Sequence, residues 1–279
     1  MGNFARIIVG IGKTEENMAR KIVVTSGKGG VGKTSVVANL AVKLAQSGRR
    51  VCMLDADFGL NNLDLVMGSE NMVVYDLIDC LEGRCRPKQA LIQSKINKNV
   101  YLMPSVHTLS KSEISFERLN ELIVGLSPLF DFIIIDCPAG VGVGFSTAVS
   151  LTDEALLVTT SQLSALRDAD KTLSALRGMG IEKIQLVVNR VRGDLVLSKA
   201  VLSPEEIEKQ LKCPLVGVIP EDDNIFLYNA GAFSPDSPPS KAFKILASNI
   251  LHGKNKLYDY SFGYRGFWGS IKRGLKRSL

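Results

Sequence analysis

The stretch that most constrains this chain is Ser26, Gly27, Lys28, Gly29, Gly30, Val31, Gly32, Lys33, Thr34 and Ser35, which follows a β-branched run and leads into an amphipathic one. Gly27 to Thr34 matches G-x-x-x-x-G-K-[ST], the spacing of a loop that cradles phosphates. Glycine is required because successive backbone N–H groups must turn inward on phosphate oxygens, and the start of the next helix adds its dipole. Lys33 is placed to neutralise β/γ oxygens and Thr34 to offer its hydroxyl to Mg2+. Residues 27–35 are therefore the expected nucleotide-binding segment. Such a loop works only between a strand and a helix, which commits this part of the chain to an α/β arrangement.

The rest of the chain agrees with that constraint. Short β-branched or continuously apolar runs occupy residues 21–25, 50–55, 100–104, 132–136, 154–159, 183–188 and 215–219. Uninterrupted runs such as FIIID suit parallel strands covered on both faces. Amphipathic patterns lie between them at residues 33–46, 116–126, 164–177 and 204–211, the last opened by Ser203, Pro204, Glu205 and Glu206 as cap, first-turn proline and first-turn acids. The alternation predicts an α/β fold with a doubly wound, mostly parallel sheet and helices on both faces, a P-loop NTPase. Residues 232–240 (AFSPDSPPS) read as a proline-rich loop, residues 241–251 as a last body helix and residues 252–260 as a polar linker. The domain reading is an extension over 1–17, an ATPase domain over 18–252, and a linker with a C-terminal helix over 253–279.

Three aspartates fall at strand ends, where ligands of open sheets bind. Asp55 and Asp57 stand two residues apart after the second strand, and Asp136 closes FIIID. Asp55 is expected to hold Mg2+ through water and Asp136 to be the Walker-B carboxylate. Asp57 is expected to orient the attacking water, because an aspartate with an ordinary pKa of about 3.9 is a weak base near neutrality. Cys137, Pro138, Ala139 and Gly140 follow Asp136 as a hinge sensitive to the γ-phosphate.

Several classes are disfavoured. No apolar run approaches the roughly 18–20 residues needed to span a bilayer. The N-terminal apolar stretch is broken by Arg6 and lacks a small-residue cleavage site, so it does not read as a signal peptide, and Arg6 stands where a myristoylation motif wants Ser or Thr. The five cysteines show no C-x-x-C pair and fit a reducing compartment. Of the net charge of +6, all but one unit is accounted for by Arg265, Lys272, Arg273, Lys276 and Arg277, which share residues 261–279 with no acid. A near-neutral body argues against a chain-wide nucleic-acid footprint, and no specific nucleic acid is expected.

On a helical wheel of about 100° per residue, Tyr264, Phe267, Trp268, Ile271, Leu275 and Leu279 gather within roughly 120° of arc and the five basic residues take the opposite side. That is the composition of an interfacial membrane helix. Gly263, Gly266, Gly269 and Gly274 each weaken a helix in water by roughly 1 kcal/mol relative to Ala, which suits a segment that orders on lipid. Tyr264, Phe267, Trp268, Ile271 and Leu275 are the expected membrane contacts, on an anionic surface. Each basic residue adds about 1 kcal/mol there, so one tail binds weakly, and two tails on one dimer gain about 10²–10⁴ in avidity.

Lys28 sharpens the assignment. K-G-G-V-G-K-T, with a lysine directly after the first glycine, resembles the deviant phosphate loop of the ParA/MinD ATPase group. Within that group, DADFGLNNLDLVMG, VYDLIDCLEGRC, DCPAG, RDADKTL, VVNRVR and VGVIPED are similar to the MinD family of septum-site-determining ATPases, from about Met18 onward. The resemblance implies ATP and Mg2+ as cofactors and a homodimer in the ATP state. In it Lys28 reaches the partner's phosphates, so that Lys28, Lys33 and Asp57 form the catalytic set. It implies adenine contacts from Asn189, Pro220, Glu221 and Asp222. It places Arg167, Asp168 and Asp170 on the face offered to a MinC-like inhibitor and a MinE-like regulator. It further implies a cytoplasmic protein, peripheral on the inner face of the cytoplasmic membrane or its plastid equivalent. Flagellar-number regulators of the FlhG type and ParA-type DNA-partitioning ATPases carry the same loop and are the rival readings. The chain departs from the family at Gly142 (usually Glu), at Ser161 and Gln162 (usually Pro-Glu), and at residues 228–233, all around the switch and partner surfaces.

Overall fold

The computed structural model describes residues 18–56, 62–105, 115–227 and 229–265. In chain order they form β1 (Arg20–Thr25), α1 (Lys33–Gln46), β2 (Val51–Asp55), α2 (Leu63–Met67), α3 (Leu77–Leu81), α4 (Pro87–Ala90), β3 (Ile92–Gln93) and β4 (Val100–Met103). These are followed by α5 (Phe116–Leu126), β5 (Phe132–Asp136), α6 (Val143–Ser150), β6 (Glu154–Thr159), α7 (Leu163–Gly178), β7 (Lys183–Val191), α8 (Gly193–Leu197), α9 (Pro204–Leu211), β8 (Leu215–Pro220), α10 (Asn224–Leu227) and α11 (Pro238–His252). The sheet order is β3-β4-β2-β5-β1-β6-β7-β8, and every neighbouring pair is parallel except β3 with β4.

The continuously apolar strands follow from cover on both faces. Val23, Leu54, Ile133 and Ile135 point into one core with residues of α5, α6, α7 and α9. Ile22, Val24, Met53, Phe132 and Ile134 point into the other, with α1 and α11. Alternate residues thus serve opposite cores, and each fully buried aliphatic side chain contributes roughly 1.5–3 kcal/mol. No helix among the described residues is long and apolar enough to cross a membrane.

The structure corrects the sequence expectations at several points, beginning with the helices α2, α3, α4, α6, α8 and α10, which the amphipathic patterns did not announce. Residues 238–240 are helical, not loop: Pro238 and Pro239 open α11, where a missing N–H costs no bond, and Ser237 caps the turn. β7 runs on to Val191, with its register against β8 shifted between Val188 and Val191. The two-residue β3 escaped notice because it is too short to show a period. Residues 252–260 are not a free linker. The Asn249 side chain donates to the Lys256 carbonyl at 2.6 Å, and the Tyr260 hydroxyl donates to Glu205 at 3.0 Å. The five cysteines are free and buried, and Cys80 and Cys85 bring their Sγ atoms to 3.3 Å, a closeness their spacing did not announce.

Candidate nucleotide site

At the carboxyl end of the sheet, β1 gives way to the phosphate loop, and α1 follows Gly32, which has φ 90° and supplies no side-chain cap. The first turn of α1 carries no acid, so its orphan N–H groups and positive dipole end are left for an anion. A cleft of about 390 Å³ opens over this turn, within the range of small-molecule sites. Gly29, Gly30, Gly32, Lys33, Thr34 and Ser35 form its floor. Asp55, Asn62, Asp136, Cys137 and Ala139 form one wall, and Asn189, Arg190, Glu221, Asp222 and Ile225 the other.

Asp55 and Asp136 stand in register on the adjacent strands β2 and β5, both almost wholly buried. The Asp55 carboxylate also accepts from the backbone N–H of Asn62 (3.2 Å) and Leu63 (3.3 Å), which ties it to the start of α2. Two neighbouring buried carboxylates beside a threonine hydroxyl make a hard-oxygen environment suited to Mg2+. Across the cleft, the Asn189 side-chain nitrogen donates to the Val31 carbonyl at 2.8 Å. That bond fixes the amide orientation and leaves its oxygen, buried, without a hydrogen-bond partner among the described residues. An exocyclic amino group would satisfy it. The Asp222 carboxylate accepts from the backbone and side chain of Asn224, opening α10 beside the same wall. The Glu221 N–H donates to the Val191 carbonyl, which keeps the end of β8 against β7.

A family model described as an AAA domain matches residues 19–190. The septum site-determining protein MinD of Bacillus subtilis is 43% identical over 261 residues, covering 91% of this chain and 97% of that protein. MinD of Synechocystis is 46% identical, covering 92% and 99% respectively. The chain belongs to the MinD family. Among solved structures, the MinC:MinD cell division complex of Aquifex aeolicus superposes with a TM-score of 0.78 at 36% identity, covering 85% of this chain and 98% of that one. MinD of Pyrococcus horikoshii, complexed with Mg-ADP, gives a TM-score of 0.72 at 33% identity, covering 84% and 97%.

Within this MinD fold the expected site residues take different places. Gly29, Gly30, Gly32, Lys33, Thr34, Ser35, Asp55, Asp136, Asn189, Glu221 and Asp222 converge on the cleft, with Pro220 closing β8 beside it, whereas Gly27 does not line it and Val31 is buried in the core against α1. Lys28 does not line the cleft: it is exposed on the loop's outer rim, with Nζ 3.0 Å from the Ser164 hydroxyl of α7. Asp57 lies outside the described residues, as do Phe267, Trp268, Ile271 and Leu275. Tyr264 is the one expected membrane contact among the described residues. It is half-buried, and its ring passes so close to Gly193 that an added methyl there would sit 2.9 Å from it. It belongs to the packed root of the tail.

Gly27 is also constrained from outside the cleft. A methyl group on it would lie 2.2 Å from the Asp168 carbonyl carbon and oxygen. The close approach of α7 leaves no room there for a side chain, so the loop rests directly on the helix that carries Arg167, Asp168 and Asp170. Arg167 and Asp170 are exposed there, and Asp168 pairs with Lys171 at 3.7 Å. The switch segment is tied to the loop as well, the Gly140 N–H donating to the Ser26 carbonyl at 3.0 Å. Gly142 starts α6 without a side-chain cap, flanked by exposed Val141 and Val143. Sequence reasoning passed over Asn62, Arg190 and Ile225. Arg190 holds a left-handed φ of 55° and donates to the Gly30 carbonyl at 3.1 Å. A non-glycine in that conformation inside a strand carries strain, and such strain concentrates at functional sites. Its only sequence signal is its place after Asn189.

Proposed function

We propose that this chain is a MinD-type ATPase whose ATP-bound dimer settles on an anionic membrane surface, brings a MinC-like inhibitor there to keep division septa from forming at that place, and leaves on hydrolysis. As a MinD-family member it is a Mg2+-dependent ATPase acting in septum-site determination. In this reading the loop N–H groups and Lys33 hold the phosphates, and Thr34, Asp55 and Asp136 hold Mg2+. The ion, when bound, neutralises charge developing on the β/γ oxygens. Asn189 accepts from the adenine amino group, with the 220–222 segment closing over the base. Asp57 orients the water, which attacks the γ-phosphorus as the β–γ bridging bond breaks, giving ADP and phosphate. A MinE-like regulator acts on the α7 face through Arg167, Asp168 and Asp170.

The observation that carries the dimer reading is the position of Lys28. A cation held outside its own cleft, exposed on the rim against Ser164, is available to the phosphates of a second copy. Its bond to Ser164 must break for that. Lys28→Ala is expected to keep ATP affinity within about threefold, to abolish ATP-dependent dimerisation and to remove stimulated turnover. Equilibrium sedimentation with ATP and Mg2+ reads the outcome, and an unchanged monomer–dimer equilibrium would refute the role in trans. Support for the membrane step is the tail composition. Trp268 is the single tryptophan, so its emission should shift to the blue on anionic vesicles with ATP and far less with ADP.

A further inference from the structure

The chain leaves the body through a pinned turn. The segment Phe262–Tyr264 is one turn of 3-10 helix. Its start is locked by Asp259, which accepts from the Ser261 hydroxyl (2.6 Å) and N–H (3.0 Å) and pairs with Arg265 at 3.4 Å. The Tyr264 N–H closes the turn on the Ser261 carbonyl at 2.9 Å. Beneath it lies α8, where a methyl on Gly193 would meet the Tyr260 carbonyl oxygen at 2.2 Å. The Tyr260 hydroxyl is engaged by Glu205, and burial, with Glu205 adding to it, pushes that phenol up to about 12. The root of the tail is therefore fastened to the body and cannot swing freely.

On this fastened turn Phe262 is 82% exposed, the most exposed large apolar side chain among the described residues. Leu197, at the end of α8, is exposed as well. A solitary surface phenylalanine would need no explanation. This one is rigidly presented five residues ahead of Phe267, and an extended chain covers at most about 3.6 Å per residue. No arrangement that lays the tail on a bilayer can hold Phe262 more than about 18 Å from Phe267. Continuing the tail's helical wheel backwards would put Phe262 among the basic residues, at about 220°. That continuation does not apply, because Arg265 is extended (φ −89°, ψ 156°) and breaks the helical phase between turn and tail.

We propose that Phe262 is a membrane contact mounted on the body, entering the headgroup–acyl boundary beside the tail and fixing how the ATPase domain stands on the bilayer. The inference rests on the membrane reading above. It is tested with the full chain, ATP, Mg2+ and mixed phosphatidylcholine–phosphatidylglycerol vesicles. In the Phe262→Trp/Trp268→Phe chain the only indole reports position 262. Its emission should shift to the blue on vesicles and be quenched by lipids brominated near the headgroup. Co-sedimentation of that chain with unchanged emission would overturn the inference and leave the tail reading standing. Emission already blue-shifted in buffer and indifferent to vesicles would show a protein contact, which also overturns it. A second variant guards against a failed double substitution. Phe262→Ser, with Trp268 kept, should bind vesicles about tenfold more weakly at unchanged basal ATP turnover, and unchanged affinity would overturn the inference. Failure of the unaltered chain to bind vesicles would sink the membrane reading and this one together.

Discussion

Gly27→Ala tests the claim that the first glycine of the loop serves packing before it serves phosphate. The new methyl would lie 2.2 Å from the Asp168 carbonyl carbon and oxygen and 2.7 Å from the Ala169 nitrogen. Ordinary heavy-atom contacts begin near 3.5 Å, so loop and helix must separate by about 1.3 Å. Neither can give way cheaply. The obstructing atoms are backbone, and α7 is held to the core by the almost wholly buried Leu166, Ala169, Leu173 and Leu176. Overpacking costs about 1–3 kcal/mol in general, and a rigid backbone places this case at the upper end, about 3 kcal/mol. For a chain of this size that lowers the midpoint by roughly 6–12 °C. The control is Gly29→Ala. Nothing lies within 4 Å of its methyl position and its φ is not positive, yet Gly29 lines the cleft. It should unfold within about 0.5 kcal/mol of the unaltered chain while losing ATP affinity. Thermal and urea unfolding of nucleotide-free protein compare the two. A Gly27→Ala chain as stable as its parent, or a Gly29→Ala chain equally destabilised, would refute the assignment.

Two further predictions concern buried charge. Lys43 of α1 is 8% exposed, and its ammonium donates to the Ser240 hydroxyl at 2.8 Å. Burial, with Lys244 nearby, lowers its pKa below 10.5. Its penalty is therefore complete below the folded value and is relieved as pH rises toward 10.5. Lys43→Met should stabilise the chain by about 1–2 kcal/mol at neutral pH, with the advantage shrinking in alkali; urea midpoints across pH check this. Burial works to raise the Glu154 carboxyl, but bonds from Arg20 and Lys183 outweigh it and hold it below 4.5. Its contribution is present above that value and is lost as pH falls through the lower folded one. Glu154→Gln should cost about 1–2 kcal/mol at pH 7 and flatten the acid limb of the stability profile, read by the same titration.

Much of the fold was legible because the decisive interactions are local. The helices at residues 33–46, 116–126 and 204–211 were read with the bounds the structure gives, since the amphipathic period lies within each segment and α9 adds its Ser203 cap and first-turn Pro204. The cleft's floor was legible for the same reason: glycine spacing and Lys33 encode it in eight consecutive residues. Arg190 was not, because its strained φ and its bond to the Gly30 carbonyl join residues 160 positions apart. Family resemblance alone pointed to Asn189. Its buried amide oxygen, without a partner among the described residues, appears only when β7 is laid beside the loop.

By itself the sequence determined a phosphate loop, an α/β alternation, carboxylates at strand ends and a tail whose charged residues are all basic. All are properties of short windows, where backbone geometry and side-chain period act without help from distant residues. The tertiary structure decided what those windows touch. It set Gly27 against the backbone of α7 and placed Lys28 outside its own cleft. It turned a supposed linker into a fastened root that holds Phe262 toward solvent. Each of these depends on contacts between segments far apart in the chain, and no local pattern encodes the distance across a folded core.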